Sequence, residues 1–206
     1  MRLSEPHAGG KRQKASYNSR KKSSIGKTAL FALIFAVAGS IGSIYGPRLF
    51  NYVSLNLSFR DYISEEGRFT VLMPKNVDYQ VQQVNTPGGL QEIHLFSARS
   101  GSFEYLVSYA DYPEWYISSV DHATVLDGGR DGMVNNVFGE LSVETILEVQ
   151  DFPAREILIK APQNSALKAR IILAGNRLYM INVGSQTDNI YSHTVDKVLR
   201  SFKILS

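Results

Sequence analysis

Apolar and polar residues alternate in eight segments of the chain between residues 69 and 183. A period of two residues is the pattern of a β-strand with one buried face. Four of these segments come before residue 112 and four follow residue 140, and turn-forming sequences such as FP at 152–153 and GN at 175–176 separate them. Strands joined by short turns run antiparallel. The pattern therefore predicts about eight strands in a mainly antiparallel sheet.

Two segments with the period of a helix interrupt this order. In 118–137 apolar residues recur every three or four positions, and a second helical stripe follows Asp188, which is the expected N-terminal cap. Three glycines within 128–132 each cost about 1 kcal/mol relative to alanine in a helix, so either close packing on the sheet or a break is expected there. The order predicts an α+β domain over 59–206 with two main helices packed on the sheet.

An uncharged run of twenty residues occupies 28–47, and ALFALIFAVA at 29–38 is apolar throughout. A helix of that length spans a hydrocarbon layer of about 30 Å. We therefore predict one transmembrane helix over 28–47, retained as a signal-anchor. The alternative is a signal peptide cleaved near Ala38, where small residues follow the apolar run, which would release a secreted soluble protein.

Small residues recur at every fourth position of the predicted transmembrane helix, at Ala38, Gly42 and Gly46. They share one face, where another helix could approach closely. The alternative is a helix end loosened by the glycine and proline at 46–47.

The net charge of +3 is unevenly distributed. Residues 1–28 carry eight Lys and Arg against one Glu, so the rest of the chain is net acidic. We expect 1–27 to be a disordered arm on the cytoplasmic side, because basic residues flank membrane helices on that side. The linker 48–58 and the folded domain 59–206 are then extracytoplasmic, in a periplasm or lumen. Because the basic excess belongs to the arm, it does not indicate a nucleic-acid partner.

The sequence offers little catalytic chemistry. It contains no cysteine, which excludes disulfides, thiolate metal sites and thiol nucleophiles. Only four histidines are present and none has a zinc-binding spacing, and a Gly-x-Ser-x-Gly motif is absent from the sequence. We therefore predict no catalytic residue, no metal site and no cofactor.

Charged residues interrupt several partly apolar segments of the domain. Arginine forms planar paired hydrogen bonds with carboxylates. A bridge from Arg130 to Glu156, or from Arg155 to Asp131, would clamp the first helix to the sheet. The alternative is a recognition surface for an anionic ligand or an acidic partner. The candidate residues for the clamp or partner surface are Asp127, Arg130, Asp131, Arg155, Glu156 and Arg177.

Five short sequences in the domain resemble the PsbP-like superfamily: GRFTVLMP at 67–74, LDGGRDG at 126–132, FPARE at 152–156, GNRLY at 175–179 and VLRSF at 198–202. The resemblance implies an α/β/α sandwich around an antiparallel sheet. It also implies a mostly non-catalytic role, since the superfamily comprises lumenal photosystem II subunits, assembly factors and bacterial envelope proteins.

Two functions follow as hypotheses. The first is a non-catalytic, membrane-anchored binding or assembly protein whose domain contacts a membrane complex or an envelope protein. The second is an envelope enzyme that uses Asp127 and Asp131 as acid and base. We favour the first, because no nucleophile with an adjacent base can be named in the sequence.

Overall fold

The computed structural model of the protein describes residues 59–86 and 89–206. The predicted arm, transmembrane helix and linker, with the small-residue face, lie outside the described residues. No helix in the described ranges combines the length and the apolar character needed to cross a membrane. The strands are β1 (Phe59–Ser64), β2 (Phe69–Pro74), β3 (Asp78–Thr86), β4 (Gly89–Ser100), β5 (Phe103–Asp111), β6 (Glu140–Val149), β7 (Phe152–Ala161), β8 (Ser165–Ala174), β9 (Arg177–Gln186) and β10 (Lys203–Ile204). The helices are α1 (Glu114–Ile117), α2 (His122–Asn136) and α3 (His193–Ser201).

The strands form two sheets in which every pairing is antiparallel. The larger sheet has seven strands in the order β3-β4-β5-β9-β8-β7-β6, and the smaller has three in the order β1-β2-β10. The prediction of a mainly antiparallel α+β domain is confirmed. Seven of the eight predicted strands lie in the larger sheet, whereas β2 leaves it and pairs with two strands that the alternation did not predict.

The larger sheet is covered on both faces. Helix α2 packs on β7 and β8, and on the opposite face α3 and the three-stranded sheet form a mixed layer. The rings of Phe69, Phe202 and Tyr179 meet in that mixed layer, with centroids 5.5 Å apart for the two phenylalanines and 5.3 Å for Phe202 and Tyr179. All three residues are buried. This aromatic contact joins the end of α3 to both sheets.

The glycines of α2 serve close packing, since the helix is continuous over their positions. Gly128, Gly129 and Gly132 are buried, and a Cβ at Gly129 would lie 3.2 Å from Ile171 Cγ2 on β8. The absent side chains let the helix backbone approach the sheet and place the charged residues of α2 directly over β6 and β7.

Three boundaries differ from the predictions. The cap of α2 is Asp121, whose carboxylate accepts from the Ala123 N–H at 3.1 Å, and the residues before it form the separate short α1. The cap of α3 is Ser192 rather than Asp188. The turn before β7 is made by Gln150 and Asp151, both at positive φ, so the Phe-Pro pair at 152–153 begins the strand instead of turning the chain.

Replacing Gly139 by alanine is expected to destabilise the domain. A Cβ at that position would lie 2.6 Å from the Lys160 carbonyl oxygen and 2.6 Å from Ile159 Cγ2. Because a backbone atom cannot move aside cheaply, we expect a loss of about 1–3 kcal/mol in the free energy of unfolding. Denaturant unfolding measures it, and Gly184→Ala is the control, because its new Cβ would meet nothing nearer than 3.7 Å. Equal stabilities for the two variants would contradict the close approach of β7.

Candidate functional site

Two arginines on different elements share two carboxylates above β6 and β7. Arg130 Nη1 donates to both oxygens of Glu144 at 3.0 Å and to Asp127 Oδ1 at 3.2 Å. Its Nε donates to Asp131 Oδ1 at 2.9 Å. Arg155 Nη2 donates to Asp127 Oδ1 at 3.4 Å, and its Nε lies 3.3 Å from Glu144 Oε1. We call these five residues the arginine–carboxylate cluster.

The cluster follows from local geometry. Asp127, Arg130 and Asp131 are spaced by three and four residues, so they share one face of α2. Glu144 lies on β6 and Arg155 on β7, at positions whose side chains point to the face that α2 covers. The cluster therefore links the helix to the outer two strands of the larger sheet.

The arginine side chains of the cluster are mostly buried, whereas its aspartates are exposed to solvent. The Arg155 side chain is 9% exposed and that of Arg130 is 20% exposed, whereas Asp127 is 42% and Asp131 53% exposed. Hydrogen bonding to Asp131, followed by that to Glu144, raises the pKa of Arg130, so its charge is fixed. Two cations and three anions leave one excess negative charge. The carboxylates therefore face the solvent, and the guanidinium groups lie beneath them.

The two bridges predicted between single residues are not formed. Glu156 follows Arg155 on the same strand and so points to the opposite face, where its carboxylate accepts from Arg170 Nε at 2.7 Å. Lys168 Nζ lies 3.5 Å from Glu156 and donates to Asp196 of α3 at 2.6 Å. The predicted site residues therefore belong to both faces of the sheet.

Arg177 lies in a third place, near the turn between β1 and β2. Its guanidinium donates to both oxygens of Asp111 at 2.6 Å and to the Glu66 carbonyl at 2.9 Å. The same group lies 4.3 Å from the centre of the Tyr109 ring, and the His94 ring stacks on Tyr109 at 4.3 Å. The hydrogen bonds to Asp111 raise the pKa of Arg177. Arg177 thus fastens the small sheet to the larger one and does not join the arginine–carboxylate cluster.

Buried tyrosines predict how the domain responds to alkali. Burial raises the pKa of the Tyr105 hydroxyl to about 12, and burial also raises those of Tyr109 and Tyr112. A tyrosine in the unfolded chain ionises near pH 10. A pKa that is higher in the folded state gives stability that is complete below about pH 10 and is lost as the pH rises towards about 12. We therefore expect the free energy of unfolding to fall above about pH 10.

Tyrosinate absorbance and far-ultraviolet circular dichroism, followed together, measure this loss. We expect absorbance and unfolding to change together, and Tyr105→Phe to unfold at higher pH because one ionising hydroxyl is gone. Ionisation of every tyrosine in a domain that keeps its circular dichroism would contradict the burial of these hydroxyls.

An apolar side chain is exposed beside the cluster. Ile146 pairs with Arg155 across β6 and β7, so the two side chains lie on the same face, and Ile146 is 75% exposed. The alternating pattern predicted β6 but did not show that this position lacks cover. Only the strand order of the sheet, which places β6 at its edge, reveals it.

Among residues 59–86 and 89–206, no group of three or more His, Asp and Glu side chains could hold a metal ion. A shallow concavity of about 420 Å³ on α3 is lined by His193, Asp196, Lys197, Arg200 and Ser201 and lies away from the cluster. Asp127 and Asp131, the predicted acid and base, are both paired with Arg130.

Neither a family model nor a curated protein sequence matches the chain. Among solved structures, the chain is similar to the solution structure of cyanobacterial PsbP (CyanoP) from Synechocystis sp. PCC 6803. The TM-score is 0.52 at 14% sequence identity, and the match covers 78% of this chain and 99% of that one. The domain therefore has a PsbP-like fold.

Proposed function

We propose that the protein is a non-catalytic binding or assembly protein, anchored in a membrane by residues 28–47, whose PsbP-like domain contacts a membrane complex or an envelope protein outside the cytoplasm. The fold supports a binding or assembly role in general. The basic arm before the uncharged run supports the orientation.

The proposal rests on Ile146, an exposed apolar side chain that lies beside charged side chains held in place by hydrogen bonds. Protein interfaces commonly combine a central apolar anchor with a polar rim. Ile146 offers the anchor, while Asp127 and Asp131 offer a rim whose positions are set by hydrogen bonds to Arg130. We call these three residues the binding surface.

The charge of the binding surface indicates its partner. The sequence left open an acidic partner or an anionic ligand, which the arginines would have recognised. Because the arginines are covered and the carboxylates exposed, the surface suits a partner with an apolar pocket bordered by Lys or Arg.

Photo-crosslinking in intact membranes tests this surface. The full chain would carry a photoreactive residue in place of Ile146 or, as a matched control, of Val143, which is 51% exposed on the opposite face of β6. We expect one defined crosslinked product from position 146 that is lost in Asp131→Lys, and no such product from position 143. The same products from both positions would reject the binding surface.

Carbonate extraction and protease protection test the anchor separately. We expect the full chain to stay with the membrane pellet, with its domain protected by the membrane from protease added on the cytoplasmic side. Recovery of a soluble chain that begins near Gly39 would replace the anchor with a cleaved signal peptide.

A further inference from the structure

The two edge strands of the larger sheet differ in how they are protected. Strand β6 carries glutamates at 140, 144 and 148, and its register with β7 shifts between Leu141 and Val143. Strand β3 pairs with β4 without a break along all nine residues, and its residues 79–86 include no charge and no proline. Charges, prolines and bulges are the features that keep edge strands from pairing with other chains. Among the described strands of the larger sheet, β3 is therefore the open edge.

Strand β3 is also accessible. Tyr79 is 48% exposed and Val81 44% exposed, and β4 is its one neighbour among the described strands. In a β-strand, successive backbone groups point to alternate sides, so an edge strand presents a row of N–H and C=O groups outward. A strand of this length can form a full ladder with another.

We propose that β3 pairs antiparallel with β3 of a second copy of this chain, which joins the two larger sheets into one continuous sheet. A strand that pairs with itself must tolerate its own charges, because like charges directly opposite each other are destabilising. The one charged residue of β3 is Asp78 at its start, and antiparallel pairing carries the two copies of Asp78 to opposite ends. Self-pairing of β6 centred on Glu144 would instead set glutamate against glutamate at three positions.

An unpartnered amide selects the register. Gln82 Oε1 is buried and has no hydrogen-bond partner among the described residues. A two-fold axis through Gln82 sets the two Gln82 side chains opposite each other, where each amide can donate to the other once rotation of the side chain brings its buried oxygen to the pairing edge. The same axis sets Val81 opposite Gln83 of the second copy. Each face of one sheet then continues into the same face of the other sheet.

The pair leaves the binding surface free. Strands β3 and β6 are at opposite edges of the larger sheet, so self-pairing through β3 places one copy of the binding surface at each outer end. Dimer formation and partner binding are therefore separate properties of the chain.

Sedimentation velocity of the full chain in detergent, over a dilution series, tests the pairing. In the double variant Val81→Lys/Gln83→Lys, each lysine lies opposite a lysine of the other copy. Because like charges repel, we expect the dissociation constant of the dimer to rise by about tenfold or more. In Val81→Lys with Gln83→Glu, each lysine faces a glutamate, and we expect the dimer to be retained. Val143→Lys on the other edge strand is the matched control and should dimerise as the parent does.

Disulfide trapping tests the register without relying on affinity. Because the chain has no cysteine of its own, Gln82→Cys introduces the one thiol. We expect mild oxidation to link the Gln82→Cys chain into covalent dimers, and to leave Val143→Cys without a covalent link although it still dimerises through β3.

The proposal is overturned if the parent chain sediments as a monomer throughout, or if the doubly lysine-substituted chain dimerises as well as the parent. A dimer that is lost only in Gly42→Ile would assign association to the predicted transmembrane helix and would likewise overturn it. Circular dichroism of each variant verifies that the domain is folded, so a loss of the dimer is not mistaken for a loss of the fold.

Discussion

Replacing Phe202 by alanine is expected to lower the free energy of unfolding by about 3–5 kcal/mol. The Phe202 ring is 3% exposed and fills the space between Phe69 of the small sheet and Tyr179 of the larger one. Removing it leaves a cavity where three elements meet, and rigid sheets on both sides cannot collapse to fill it. Equilibrium unfolding in denaturant, followed by circular dichroism, measures the loss.

Phe138→Ala is the matched control for this prediction. The same atoms are removed, but Phe138 is 86% exposed, so we expect a change below about 0.5 kcal/mol. If Phe202→Ala cost less than about 1 kcal/mol, the end of α3 would not be docked on the sheets as described.

Replacing Arg155 by alanine is expected to lower the free energy of unfolding by about 2–3 kcal/mol. Removing one member of a fully buried ion pair costs about 3–5 kcal/mol. The cost here is smaller because Asp127 and Glu144 are partly exposed and keep Arg130 as a partner. Arg99→Ala is the control, since Arg99 and Glu104 form a pair in which both side chains are more than half exposed, and such a pair is worth about 0–1 kcal/mol.

The Arg155 variant also separates structural support from recognition. We expect the fraction of Arg155→Ala that remains folded to crosslink through position 146 as the parent does, because the guanidinium is beneath the carboxylates and away from the partner. A variant as stable as the parent that no longer forms the crosslink would place Arg155 in the binding surface and contradict its role as a clamp.

The larger sheet could be predicted from sequence because its strands alternate between buried and exposed positions, which period-two patterns detect. Strand β1 was not predicted, since FRDYIS contains two charged residues and buries only Ser64. Strand β10 has two residues, too few to show any period. Both are held by pairing with β2, which is tertiary information that no local pattern contains.

The sequence predicted most residues of the candidate site, but it did not predict which arginine pairs with which carboxylate. Arg155 and Glu156 are adjacent, and the same alternation that predicts β7 places them on opposite faces, so the sequence alone predicts that they belong to different clusters. Alternation along the strand could not have identified Glu144 and Ile146 as site residues. Their importance depends on β6 lying at the edge of the sheet, next to the strand that α2 covers, and a local period does not encode strand order.

The smaller sheet has a consequence for the order in which the domain is made. Leu72 of β2 donates its N–H to Ser201 Oγ at 2.8 Å, and these residues are 129 positions apart in the chain. A chain synthesised from its N-terminus produces β2 long before α3 and β10, and distant contacts are slow to form. Strands β1 and β2 cover only part of the aromatic face of the larger sheet, so the nascent domain is exposed to aggregation until α3 and β10 have emerged and covered the rest.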